Sequence, residues 1–469
     1  MARVHARESP LPRARERHRG SSQDATLPHT RQDVANARHT HTRQHRRQKG
    51  PVKVKPAGES GRSGIHPFKF FKIVWKSTSY LSRAVNILWP FVPAAIAVRY
   101  TLPDQHVLIF SLSYLAMIPV ANLLGFAGQE LSRKMPHMAG VLVETTIASI
   151  VEIILFIVLL LKGQYYVIKA AILGSILATM LLCLGLCFFA AGMRHDEPTF
   201  DGAISEVGSG LLLIAGLGLA VPTIFYTSLK SVAGDTIDVT LAEVASKTTN
   251  ISRIVAILLV VAYGAFVWFQ MRTHHGLYDA VFEHDEKRDR DGHKDLAKEK
   301  LTLTECIIAL AISVALVSII AITLVHEIPA IVLKGGVSDP FMGLILVPLV
   351  EKAAEHLTAI DEAWDDQINF ALAHCIGSTI QTAMLNAPLV VIAGWGLGLP
   401  MDFNFEIFDI VLIILAIITV GNFLRDEKSN YLEGLLCIIV YVAIAVAAFF
   451  YPTPIVAYEH ALHEFGGGH

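Results

Sequence analysis

VPLVEKAAEHLT, running from Val347 to Thr358, and VETTIASIVEII, running from Val143 to Ile154, are the two stretches on which the reading of this chain turns. Each sets acidic side chains inside a segment otherwise apolar enough to lie in a lipid bilayer, where an ionisable group costs at least a few kcal/mol even on the mildest scale and is seldom without a task. Glu351 and Glu355 are four residues apart and share a helix face, with Lys352 and His356 on the neighbouring stripe. Glu144 and Glu152 stand eight apart, again roughly on one side of a helix. The two segments are expected to meet within the membrane and form a cation site.

Working outward, a hydrophobic share of 53% and a mean hydropathy of +0.49 over 469 residues exclude an ordinary soluble protein. The expected class is an all-α polytopic membrane protein. Apolar runs of bilayer length give about eleven spans, near 84–101, 106–126, 138–162, 167–192, 207–229, 252–271, 302–325, 338–359, 368–395, 405–424 and 431–451. Residues 1–65 carry Arg, His, Ser, Gly and Pro with almost no large apolar side chains, which predicts a disordered, basic, cytosolic arm held near anionic lipid. Its run RQHRRQK, Arg43 to Lys49, also fits a nucleic-acid patch, but nucleic acid is not an expected partner. No secretory signal is expected, since no short apolar stretch promptly follows a positive start. Residues 66–83, with FKFFKIVW from Phe68 to Trp75, predict an interfacial segment. The net charge of −2 decides little, because the charges are unevenly placed. With the arm in the cytosol, the loops bearing Arg133 and Lys134, Arg194, Lys287 to Lys300, and Arg425 and Lys428 fall on the same side, in keeping with the positive-inside rule. The five cysteines sit in apolar runs without metal-type spacing and are read as small core residues.

The span layout repeats. After a first span at 84–101 come five spans within 102–271, a charged connector at 272–301 and five spans within 302–451, leaving a tail at 452–469. A glutamate-bearing segment is the second span of each set. An odd number of spans per set inverts the second relative to the first, the arrangement that puts a transported ion at the midplane between two repeats. The next spans agree: GSILATMLLCLG (Gly174 to Gly185) corresponds to GSTIQTAMLNAP (Gly377 to Pro388). Glycine lets helices approach closely, and Ser149, Ser175, Thr179, Ser378 and Gln381 supply oxygens for a partly dehydrated cation beside Glu152 and Glu355.

These residues carry a resemblance. From about Phe70 to Tyr451 the chain resembles the cation/proton exchangers of the calcium/cation antiporter superfamily, particularly those of fungal and plant vacuoles. The resemblance rests on IPVANLLGFAGQEL (118–131), ASIVEIILFIVLL (148–160), GSILATMLLCLG, WFQMRTHHGLYD (268–279), FMGLILVPLVEKAAEHLTAI (341–360) and the cluster of Gly377, Ser378 and Gln381. It implies eleven spans, ten of them in two inverted halves, with a cytosolic connector. It also implies exchange of cytosolic Ca2+ for lumenal protons by alternating access, across a vacuolar or other acidic endomembrane with the N terminus in the cytosol. By that match Glu152 and Glu355 take the places of the paired cation-binding carboxylates and couple to protons, and His356 matches the family's histidine.

The chain also departs from the pattern. Where the family's two hallmark elements have glycine-asparagine, Ala148-Ser149 and Glu351-Lys352 stand here; Glu144 and Thr179 replace further asparagines. An asparagine carbonyl coordinates a cation and an ammonium repels one. Lys352 is therefore read as an internal counter-ion to Glu351, Glu355 or Glu152, with snorkelling toward an interface as the alternative. Glu144, Glu351 and Lys352 are expected to modulate the site. Two other readings stay open: a monovalent Na+ or K+/H+ exchanger, and a transport-inactive membrane scaffold. An enzyme is not expected, since no nucleophile motif or His-Glu-x-x-His is present. The expected partners are the bilayer, inorganic cations and protons, with a homo-oligomer left open and no cofactor.

Overall fold

A computed structural model describes residues 60–62, 64–76, 80–135, 137–231, 240–290 and 298–452. The basic arm lies almost wholly outside the described residues, and so does the C-terminal tail. What is described is helical, apart from a single bridge between Thr199 and Lys428. The helices are α1 Pro67–Lys76, α2 Phe91–Thr101, α3 His106–Ser132, α4 His137–Ala148, α5 Ile150–Leu161, α6 Tyr165–Leu177, α7 Leu184–Gly192, α8 Gly202–Lys230 and α9 Leu241–Trp268. They are followed by α10 His275–Arg288, α11 Leu303–Gly335, α12 Val347–Glu351, α13 Ala353–Trp364, α14 Ile368–Gln381, α15 Ala387–Gly396, α16 Ile407–Phe423 and α17 Tyr431–Phe450.

Among the described residues eight helical stretches are long and apolar enough to cross a membrane: α3, the α4–α5 pair, α6–α7, α8, α9, α11, α14–α15 and α17. The other three segments read from the sequence as spans are shorter or broken. The first is broken into the end of a short helix, Tyr80–Val85, a 3-10 turn, Asn86–Leu88, and α2, which begins just after Pro90, and α16 has 17 residues. The segment expected near 338–359 is a chain of pieces, Asp339–Phe341, a π-helical turn Met342–Leu346, α12 and α13.

Burial sorts these helices into inner and outer ones. The most apolar window is 83% buried in α6–α7 and 78% in α14–α15, against 17% in the α9 stretch and 28% in α17. The two Gly-Ser segments thus run through the middle, and the outer helices turn Ile254, Leu258, Val261, Ile439 and Val442 outward, as lipid-facing surfaces do. Close approach at the centre is built on glycine. A Cβ added at Gly174 would lie 2.2 Å from the Leu344 carbonyl oxygen, and one at Gly343 would lie 2.7 Å from the Val167 carbonyl oxygen, so α6 and the π turn before α12 cross backbone against backbone. Gly174→Val is accordingly expected to remove most of the folded protein, seen as loss of the monodisperse peak in size-exclusion chromatography. A normal peak would show that the crossing has slack.

Helix ends are set by local chemistry. Thr302 and Glu305 form a capping box at the start of α11, Asp201 caps α8, Asn430 caps α17, and Gly336 ends α11 at φ 67°. The charged connector is helical and partly buried. Helix α10 buries Tyr278, Val281, Phe282 and Asp285. The Asp285 carboxylate accepts from the backbone N–H of Asn369 (2.8 Å) and Phe370 (3.3 Å) and from Asn369 Nδ2 (2.9 Å), capping α14 from outside. Burial pushes this carboxyl above its ordinary range, and the Asn369 and Phe370 donors pull it back. At the other end of the charged run, α1 buries Ile73 beside Phe126, Leu301 and Cys306 while leaving Phe68, Phe71 and Trp75 exposed.

Candidate cation site

The two glutamate segments break in the same way. Between α4 and α5 the chain loosens at Ser149 (φ −70°, ψ −6°), and between α12 and α13 at Lys352 (φ −91°, ψ −2°). A ψ near zero is outside the α-helical well, so each helix stops and restarts. Glu152 and Glu355 each lie three residues past a break, in the first turn of the restarted helix, where the helix dipole favours an ionised carboxylate.

The side chain of Lys352, 1% exposed, joins these two carboxylates. Its Nζ donates to Glu152 Oε2 at 2.8 Å, to Glu355 Oε2 at 3.3 Å and to Ser378 Oγ at 3.1 Å. Snorkelling is thereby excluded, and of the three carboxylates weighed from sequence the ammonium bonds to Glu152 and Glu355. Ser378 Oγ in turn donates to Glu355 Oε2 at 2.5 Å. Glu152 collects two more donors from the π-helical turn Thr382–Asn386, Thr382 Oγ1 at 2.9 Å and Asn386 Nδ2 at 2.8 Å. The sequence reading assigns no role to Asn386. Its signal is an i, i+4 pair of polar side chains, Thr382 and Asn386, in an otherwise apolar helix.

The other residues read from sequence surround this seat in pairs. Ser175 Oγ donates to Glu351 Oε1, and Gln381 Nε2 donates to Ser149 Oγ at 2.9 Å. Thr179 Oγ1 donates to the Ser175 carbonyl at 2.9 Å and lies 3.5 Å from His356 Nε2. Neither Thr179 nor His356 bonds to the paired carboxylates. Three oxygens attached to the network, Glu351 Oε2, Gln381 Oε1 and Asn386 Oδ1, are buried and accept no hydrogen bond among the described residues. Orphaned buried acceptors are costly, and a ligand of positive charge is what such oxygens take.

Glu144 stands apart from the seat. It accepts from Ser132 Oγ at 3.0 Å and faces His374 Nε2 at 3.9 Å, while His374 Nδ1 pairs with Glu362 at 2.6 Å. Glu144, Thr179, Glu355, His356, His374 and Ser378 line one cavity, so that Glu355, of the two paired carboxylates, faces it. Toward the C-terminal end of α13 and just beyond it, Glu362 pairs with His374, and Asp366 pairs with His195 (2.8 Å) and Arg290 (3.7 Å).

The family model for the sodium/calcium exchanger protein matches residues 105–272 and 306–450, well over half of the chain. The chain belongs to this exchanger family. A vacuolar cation/proton exchanger of Arabidopsis thaliana, number 5, is 34% identical to this exchanger-family chain over 387 residues, covering 82% of it and 84% of the relative. The vacuolar calcium ion transporter of Schizosaccharomyces pombe is 30% identical over 373 residues, covering 79% and 86%. The solved structure of the Ca2+/H+ antiporter protein YfkE superposes with a TM-score of 0.62 at 23% identity, covering 78% of this exchanger-family chain and 99% of that structure, a likeness of fold.

Proposed function

We propose that this chain is an antiporter that moves Ca2+ out of the cytosol in exchange for protons, across a vacuolar or other acidic endomembrane, with its N terminus in the cytosol. The observation that carries the reading is the pair of buried carboxylates, Glu152 and Glu355, on two separately restarted helices and already bridged by a cation, the Lys352 ammonium. Membership of the exchanger family and the calcium and cation/proton transport named for its relatives support it. The full arrangement proposed is eleven spans, ten of them in two inverted halves that rock about this seat. Ca2+ enters along the cavity lined by Glu144 and His374 and displaces the Lys352 ammonium. It then takes the oxygens of Glu152, Glu355 and Ser378, together with those of Gln381 and Asn386. Protons arriving from the lumen compete for the same two carboxylates and release the ion. Glu351, with one oxygen unpartnered, receives the displaced ammonium, whose flexible stem starts at the helix break.

One observation favours a second reading, monovalent exchange. With the two glutamates ionised, Lys352 leaves the seat a single net negative charge while it stays in place. Uptake into proteoliposomes under an acid-inside gradient separates the two. Ca2+ uptake that dissipates the gradient is expected; uptake of Na+ or K+ alone would replace the calcium reading, and movement of no ion would remove both.

A further inference from the structure

Three thiols meet beside the cavity, and they come from two central helices. Cys183 closes the π-helical turn Ala178–Cys183 that joins α6 to α7, Cys187 lies four residues on along the same face, and Cys375 comes from α14. Cys183 Sγ is 3.5 Å from Cys375 Sγ, Cys187 Sγ is 4.0 Å from it, and all three sulfurs lie within 4.8 Å of one another, every one buried. The absence of metal-type spacing in the sequence is therefore misleading, since the third ligand lies 192 residues further along the chain.

We infer that Cys183, Cys187 and Cys375 form a binding site for a thiophilic d10 cation such as Cd2+ or Zn2+, distinct from the carboxylate seat. The spacing fits that chemistry. Three thiolates at about 2.3 Å from one ion in a trigonal plane are about 4.0 Å apart, so the sulfurs need to move by only a few tenths of an ångström. Soft sulfur selects such ions over Ca2+, which takes oxygen ligands. The trio is also reachable, because Cys183 and Cys375 line the same cavity as Glu144, His374 and Glu355. Binding exchanges three S–H protons for one metal ion, and the protons leave by that cavity. A soft ion held there sits beside the cavity that Glu355 also lines.

The test uses the reduced full-length chain in detergent, titrated with CdCl2 and followed by the ultraviolet charge-transfer band of cadmium thiolate. The band is expected to saturate at one equivalent, with excess Ca2+ failing to displace the metal. Cys187→Ser should weaken binding by at least about tenfold, and the Cys183→Ser/Cys375→Ser double variant should lose the band. Cys306→Ser/Cys437→Ser, altering the two thiols outside the trio, should leave it unchanged. Thermal melting of each variant establishes that it is folded, and Cd2+ should raise the melting temperature of the wild type but not of the double variant. No band at one equivalent in the folded wild type, or a band that survives in the folded double variant, would overturn the site. The readout is binding rather than transport, so it stands or falls independently of the exchange reading.

Discussion

Lys352→Asn is expected to raise Ca2+ uptake by at least about tenfold at limiting Ca2+, since a competing ammonium worth as little as about 1.4 kcal/mol changes an apparent affinity by that factor. The Nζ holds Glu152 Oε2 at 2.8 Å and Ser378 Oγ at 3.1 Å, and a calcium ion needs those oxygens at about 2.3–2.6 Å. It cannot share them with an ammonium. The same substitution has a cost when no ion is bound, because removing one partner of a buried ion pair leaves uncompensated charge worth about 3–5 kcal/mol. The variant should therefore melt lower than the wild type without Ca2+ and recover as Ca2+ is added, by about 2.7 kcal/mol when the ion is at a hundred times its dissociation constant. Lys352→Met, which removes the charge without offering an oxygen, should lose stability similarly and recover less. A Lys352→Asn protein whose melting ignores Ca2+ and whose uptake does not exceed that of the wild type would remove the lysine from the cation seat.

How much of this was legible in the sequence follows from what is local. The long apolar helices were readable because bilayer thickness demands a run of about 20 residues, a property of contiguous sequence. The shortness of α2 and the pieces of 339–364 were not. In the latter, chain geometry is set by a crossing with Gly174 that the sequence of Gly343 to Pro348 alone does not announce. At the site, the candidacy of Glu152, Glu355 and Lys352 was visible from charge placed in apolar surroundings. The pairing itself was not, since the bond from Lys352 to Glu152 joins residues 200 apart. Asn386 escaped for the same reason: its target carboxylate belongs to another helix. The thiol trio shows the limit again, as two of its members keep a helical spacing and the third arrives only through packing.

Glu355→Gln and Glu152→Gln are both expected to lower proton-coupled cation uptake by at least about a hundredfold, a rise of about 2.7 kcal/mol in the transport barrier, because each removes one of the two carboxylates for which ion and proton compete in the proposed mechanism. Their stabilities should differ. At 355 the amide oxygen can still accept from Ser378, and Lys352 keeps its shorter bond to Glu152, so folded yield should stay near that of the wild type. At 152 the carboxylate gathers donors from Lys352, Thr382 and Asn386 in a position 1% exposed. A glutamine there turns an NH2 group toward those donors and leaves at least one of them unsatisfied, a loss of about 1–3 kcal/mol for a neutral group and more for the ammonium. Glu152→Gln should consequently show a lower melting temperature as well as lost transport, while Glu355→Gln loses transport alone. Retained proton-coupled uptake in folded Glu355→Gln would sink the assignment of that carboxylate. Equal melting of the two variants would mean that Glu152 does not anchor the ammonium as its four donated hydrogen-bond contacts imply.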